Sequence, residues 1–299
     1  MDLTDKGILG DLVENCRITY EELARKYGLS ANAVKRRIHK LEECGVITGY
    51  IIRFSLAMVD AEFLYGVIYT DGSQDEVQFV DMIGASPSVV AAAAYTDGTY
   101  VFLAEYKNSV ELMELGAFLR RLGGVQSVEL HTLVASKGNK MELSQLHRII
   151  LKHLTEDPRM TIADLARRTG FSARRVRRHV VELVESNAVL FTVGLELDEA
   201  GSIPYLARIL WDERKVTHDV VVDWLREQYP RSLWEWYVSV SEPVVFCLFT
   251  AEHLNEVEEL VRNVRNKEYI ERVKITVARY HKSFSGPSYR LLNELIKDV

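Results

Sequence analysis

The chain carries an internal repeat, and a repeat restricts the folds open to a sequence more than any composition value does. The stretch Arg17-Ile18-Thr19-Tyr20-Glu21-Glu22-Leu23-Ala24-Arg25-Lys26-Tyr27-Gly28-Leu29-Ser30-Ala31 aligns without a gap on Arg159-Met160-Thr161-Ile162-Ala163-Asp164-Leu165-Ala166-Arg167-Arg168-Thr169-Gly170-Phe171-Ser172-Ala173, at an offset of 142 residues. The register continues through Val34/Val176, Arg36/Arg178 and Leu41/Leu183. One copy therefore covers about residues 1–140 and the other about 141–299. They meet at the short polar stretch Ser136-Lys137-Gly138-Asn139-Lys140, with no low-complexity linker.

Each copy opens with an amphipathic helix, carrying Leu3, Ile8, Leu9, Leu12 and Val13 in the first and Leu143, Leu146, Ile149, Ile150 and Leu154 in the second. Thr19 then reads as a helix cap with Glu22 as its capping-box partner, and Thr161 with Asp164 as a weaker counterpart. Gly28 and Gly170 stand where a left-handed residue ends a short helix, and Ser30 and Ser172 cap a third. On that third helix Val34, Ile38 and Leu41, or Val176, Val180 and Leu183, form the buried stripe. The opposite face carries Ala31, Asn32, Lys35, Arg36, His39 and Lys40 in copy one and Arg174, Arg175, Arg177 and Arg178 in copy two. Helix, glycine turn and capped basic helix is the arrangement that places a recognition helix in the major groove. A solvated basic face is the alternative, and the register-matched recurrence weighs against it. The candidate DNA contacts are thus Ser30, Ala31, Asn32, Lys35, Arg36, His39 and Lys40 with Ser172, Arg174, Arg175, Arg177 and Arg178. His39 and His179 have no ligand-spaced partner in sequence and read as polar surface or phosphate contacts. Gly45–Tyr50 and Asn187–Phe191 read as a turn entering a strand, the place of a small wing.

The net charge of −6 would argue against a nucleic-acid partner, but it is unevenly distributed. Residues 1–50 are neutral, 142–192 carry +3, and the acidic surplus lies in 53–141 and 193–299. Local charge decides whether a surface approaches phosphates.

The acidic stretches alternate strands and helices. In copy one the order is Phe63–Thr70, Asp75–Ala85, Val89–Tyr95, Thr99–Tyr106, Val110–Leu122 and Val125–Val134. In copy two it is Tyr205–Trp211, Thr217–Tyr229, Ser232–Ser241, Val244–Thr250, Leu254–Asn266 and Val273–Tyr280. Both read β-α-β-β-α-β, the ferredoxin-like order. Asp97-Gly98 signals a type I′ hairpin, replaced by Glu242-Pro243 in copy two. Such a sheet has helices on one face only, so the two sheets are expected to pack face to face as an internal pseudo-dimer. Ser288–Val299 reads as an extra amphipathic helix docking on the body of the chain.

The expected fold class is therefore α+β. It comprises a winged helix-turn-helix at 1–50, a ferredoxin-like domain at 51–138, a second winged helix-turn-helix at 139–192 and a second ferredoxin-like domain with the C-terminal helix at 193–299.

These residues resemble the Lrp/AsnC, or feast/famine, family of transcription regulators. The resemblance rests on Ile18–Ala24, Gly28-Leu29-Ser30, Val34–Glu43 and Gly45–Tyr50. In copy two it rests on Asp164-Leu165-Ala166, Gly170-Phe171-Ser172 and Val176-Arg177-Arg178, with Asn187-Ala188 where the closing glycine stood. The resemblance implies a DNA-binding regulator whose α+β domains pair through their sheets. It also implies a small effector, such as an amino acid, bound near the central hairpin turn. Here that places Tyr95, Thr96, Asp97 and Gly98 with Ser239, Ser241 and Glu242 as effector candidates, although neither stretch keeps the family's Gly-x-x-Asp spacing. Family members are symmetric dimers, whereas one tandem chain has unlike recognition helices and would read unlike half-sites; a homodimer of the tandem chain is a further option. The fold also resembles siroheme decarboxylases, for which His131, His218, Arg208 and Arg279 would be the acid or carboxylate-binding groups. A regulator acting through a protein partner, with one vestigial helix-turn-helix, is a third reading.

Neither a nucleophile–base pair nor a phosphate loop stands out, and no metal or cofactor is expected. The scattered Cys16, Cys44 and Cys247 read as free thiols. With no secretion signal and no apolar run near the roughly 20 residues of a membrane span, the expected location is the cytoplasm.

Overall fold

A computed structural model describes every residue except Asp198 and Ala200. The first repeat runs α1 (Leu3–Glu14), α2 (Tyr20–Tyr27), α3 (Ala31–Glu43), β1 (Ile47–Phe54), β2 (Glu62–Thr70), α4 (Glu76–Gly84), β3 (Val89–Tyr95), β4 (Thr99–Tyr106), α5 (Ser109–Arg120) and β5 (Val125–Thr132). The second runs α6 (Gln145–Glu156), α7 (Ile162–Thr169), α8 (Ala173–Glu185), β6 (Val189–Leu195), β7 (Ile203–Trp211), α9 (His218–Gln228), β8 (Leu233–Val238), β9 (Val244–Ala251), α10 (Leu254–Arg265) and β10 (Ile270–Ser283), and α11 (Pro287–Lys297) closes the chain. These elements gather into two compact units, one made of Met1–Val59, Lys137–Ala200 and Ser288–Val299, the other of Asp60–Ser136 and Gly201–Pro287.

The first unit holds both helix-turn-helix modules. Its wing differs from the expectation of one small wing per module. β1 pairs antiparallel with β6 of the other repeat, Ile52 facing Phe191 and Phe54 facing Val189. The apolar reason is visible in the packing: Ile52 and Phe54 are buried in one cluster with Leu146, Ile150, Leu154, Val176, Val180 and Leu183. A strand of the first repeat thus completes the core of the second. The matched residues Arg17 and Arg159 both reach across the repeat boundary. Arg17 donates to the carbonyls of Pro158 and Met160, and Arg159 lies 4.8 Å from the Tyr20 ring centre and 5.2 Å from that of Tyr50.

The C-terminal helix was expected as part of the second ferredoxin-like domain. Instead Leu292 and Ile296 of α11 join the helix-turn-helix core beside Leu146, Ile150 and Leu151, because that core is where an apolar stripe finds cover.

The second unit is an eight-stranded antiparallel sheet of order β5-β2-β4-β3-β10-β7-β9-β8. Each half has the ferredoxin-like order, and β3 and β10 join the halves edge to edge. The far edges also meet, Val134 N–H donating to Val238 O and Val240 N–H to Thr132 O. The two-residue alternation of β2 builds two layers. Leu64 and Ile68 face α4 and α5 with Phe79, Val80 and Leu115, while Tyr65 and Val67 face the other half with Leu206, Val244 and Phe246. Tyr65 stacks on Phe246 with ring centres 4.2 Å apart, so the half-sheets pack face to face.

The hairpin at Asp97-Gly98 is not type I′, which needs positive φ at both central residues. Gly98 has φ 77°, but the only described non-glycine residues with positive φ are Asp60 and Asn187. Gly98 N–H bonds Tyr95 O, giving a three-residue loop of Thr96, Asp97 and a left-handed Gly98. Asp97 instead spends its carboxylate on Thr99, accepting from its N–H and its hydroxyl.

Candidate nucleic-acid interface

The recognition helices are held by their own caps. Thr19 and Glu22 form a reciprocal capping box on α2, Glu22 N–H donating to Thr19 Oγ1 at 3.1 Å and Thr19 N–H to Glu22 Oε2 at 2.8 Å. Asp164 N–H donates to Thr161 Oγ1 at 3.1 Å on α7. Gly28 (φ 66°) and Gly170 (φ 73°) take the left-handed conformation that ends α2 and α7 without a Cβ penalty. Ser30 Oγ then accepts from Ala33 N–H, and Ser172 Oγ from Arg175 N–H, starting α3 and α8. Val34, Ile38 and Leu41, and Val176, Val180 and Leu183, are buried as expected.

The opposite faces are open. Ser30, Asn32, Lys35, Arg36, His39 and Lys40 are exposed and Ala31 half-buried on the first module. Ser172, Arg174, Arg175, Arg177 and Arg178 are exposed on the second. Their charges are not equally available. Among the described residues, Lys35, Arg36, Arg174 and Arg177 make no ion pair. His39 faces Glu42 and Glu43, Arg178 lies 3.5 Å from Glu182, and Arg175 stacks on Phe171 at 4.6 Å. Arg37 pairs with Asp2, which caps α1, and with Asp5 of α1, and so serves the fold.

His179 departs from the expectation of a surface residue. It is buried at 7% exposure, its ring edge-on to His147 with centres 4.8 Å apart. Sequence spacing could not show this partner, because His147 comes from α6.

In the second unit the two hairpin turns singled out as effector candidates are joined by a polar chain. Lys274 pairs with Asp97 at 2.7 Å and lies 5.9 Å from the Tyr69 ring centre. Arg208 donates to Tyr69 Oη at 3.1 Å and Glu129 Oε2 at 2.7 Å, and sits 3.8 Å from Glu242. His131 lies between Glu129 (3.4 Å) and Ser239 Oγ (3.1 Å). Ser239 Oγ accepts from the backbone N–H groups of Ser241 and Glu242 and lies 3.2 Å from Ser241 Oγ as well as near His131 Nδ1. Burial pushes the Glu129 carboxyl up, but the Arg208 charge and hydrogen bonds from Arg208, His131 and Tyr69 outweigh it and hold it below the ordinary glutamate range. Tyr95 is buried, and Thr96 bonds β10 through Val277. The Tyr65 hydroxyl is buried and makes no hydrogen bond among the described residues. Of the decarboxylase candidates, His131 and Arg208 meet at Glu129, whereas His218 pairs with Asp219 and Arg279 with Glu76. Tyr69, Glu129 and Lys274 escaped the sequence reading because they come from three strands.

Comparison with known proteins supports the helix-turn-helix modules. The family model described as winged helix-turn-helix DNA-binding matches residues 1–48 and 143–189, one match in each repeat. An HTH-type transcriptional regulator of Mycobacterium tuberculosis is 33% identical over 135 residues, 43% of this chain and 86% of that protein. The chain belongs to the Lrp/AsnC family of transcription regulators. The regulatory protein AsnC of Escherichia coli is 29% identical over 117 residues, 38% of this chain and 76% of its own length. Each relative covers less than half of the chain, as a duplicated Lrp/AsnC unit requires. Among solved structures, the siroheme decarboxylase NirDL matches over 99% of both chains with a TM-score of 0.57 at 15% identity, which shows a shared fold. No helix among the described residues is long and apolar enough to cross a membrane.

Proposed function

We propose that this Lrp/AsnC-family chain reads duplex DNA as an internal pseudo-dimer, placing α3 and α8 in the major groove at two unlike half-sites about one helical turn (~34 Å) apart. The observation that carries this reading is the pair of register-matched, serine-capped helices with outward basic faces of different composition. Asn32-Ala33 stands in register with Arg174-Arg175, and His39-Lys40 with Val181-Glu182. Ser30, Asn32, Lys35, Arg36 and Lys40 serve one half-site, and Ser172, Arg174, Arg175 and Arg177 the other. Arg178 and His39 contribute less, each being faced by glutamate.

The test is binding of the full chain to fragments that it selects from a random duplex pool. The Arg174→Glu/Arg177→Glu variant is expected to lose roughly 10- to 100-fold in affinity, and the slope of log affinity against log salt to fall by about one per lost phosphate contact. Unchanged affinity with an intact thermal transition would remove α8 from the interface. A wild-type affinity independent of salt would remove groove binding altogether. The same variants address a partner-mediated regulator: if α3 is vestigial, Lys35→Glu/Arg36→Glu leaves affinity unchanged.

The polar chain from Asp97 to Ser239 is the proposed effector-responsive element. A small zwitterion such as an amino acid carries both charges needed to compete for its carboxylates and cations. A second reading, tetrapyrrole decarboxylation, is favoured only by the fold shared with NirDL. Arg208, its carboxylate-binding candidate, is already engaged by Glu129 and Glu242. Adding siroheme should therefore leave its Soret band unshifted; a saturable shift would revive that reading.

A further inference from the structure

The second helix-turn-helix contains a cluster that DNA reading does not use. His147 on α6 and His179 and Glu182 on α8 bring one ligand atom each to within 4.8 Å of one another. We propose that these three side chains form a site for a zinc-class divalent ion, tying α6 to α8 and leaving a fourth position for water.

Two imidazoles and one carboxylate are the donor set of zinc and its first-row neighbours, whereas calcium and magnesium take oxygen ligands. Both imidazoles are buried and come from different helices, while His179 and Glu182 share one face of α8 at a spacing of three. On His179 the ring hydrogen is suitably placed. His179 Nδ1 lies 2.9 Å from Arg175 O, and a carbonyl only accepts, so Nδ1 carries the hydrogen and Nε2 keeps its lone pair. A ring N–H donated to a backbone carbonyl is how ligating histidines are oriented. His147 Nε2 lies 3.0 Å from Glu182 Oε2, near the ~3.4 Å edge of a tetrahedron built on ~2.1 Å bonds. Arg178 lies 3.5 Å from the other oxygen, Oε1, which leaves Oε2 for a monodentate bond.

Ligation requires one rearrangement. In the structure Ser144 N–H donates to His147 Nδ1 at 3.3 Å, and Nε2 carries the ring hydrogen. Binding the ion at Nε2 moves that hydrogen to Nδ1 and gives up this long capping bond. The other half of the cap, His147 N–H to Ser144 Oγ at 3.2 Å, is kept.

The experiment is a Co2+ titration of the metal-free full chain without DNA, followed by visible absorption, with Zn2+ competition and the thermal midpoint as second readouts. Expected are one Co2+ per chain with the intense bands of a four-coordinate ion, their loss on adding Zn2+, and a raised midpoint with either ion. His179→Gln should weaken binding by about tenfold or more. So should Glu182→Gln, an exposed position where the change does not disturb the core. Absent bands, or bands that persist unchanged in both variants, would overturn the site and leave a hydrogen-bonded His–Glu pair. With no duplex present, either outcome is independent of what α8 does at DNA.

Discussion

Asn187 carries a backbone conformation that the other repeat assigns to glycine. Gly45 has φ 80° and Asn187, its match at the 142-residue offset, φ 53°. Asparagine is among the few side chains that visit this region readily, so loss of the glycine does not change the exit from α8. Asn187→Val should destabilise the chain by about 1–2 kcal/mol, while Asn187→Gly should stay within about 0.5 kcal/mol, both read by chemical denaturation. Equal costs for the two would contradict the argument. Glu129 gives a pH dependence. Its folded-state pKa is depressed, so its contribution is fully present above the ordinary glutamate range and is lost as pH falls through that range toward the folded value. The acid limb of the stability profile should flatten in Glu129→Gln; a wild-type-like limb would show that the Arg208 pairing adds nothing to stability.

The elements divide into those whose cause is local and those whose cause is distant. The capped helices were legible from Thr19, Glu22, Gly28 and Ser30 and from their matches, because caps and left-handed glycines act within four residues. The strands of the α+β halves were legible from alternation and turn residues. What escaped was pairing between repeats: β1 with β6, β3 with β10, and α11 on the helix-turn-helix core. Periodicity says that Ile52, Phe54, Leu292 and Ile296 must be covered, but not by what. The hairpin at Asp97 was misread for another reason, since Asp-Gly suits two loop geometries and the Thr99 hydrogen bonds select between them. For the candidate interface, which faces are basic was readable, but which cations are already paired was not. Arg178 facing Glu182 and His179 turned inward toward α6 are properties of packing.

At the scale of the molecule, duplication places two helix-turn-helix modules in one chain. Covalent linkage removes the need for the two recognition helices to be identical, and here they are not. If one chain reads two different half-sites, a hydroxyl-radical footprint on its selected duplex, taken with wild type and with Arg174→Glu/Arg177→Glu, will show two protected patches of unlike sequence about one turn apart, of which the variant erases one and leaves the other. A perfect palindrome, or a variant that clears both patches or neither while remaining folded, would contradict it.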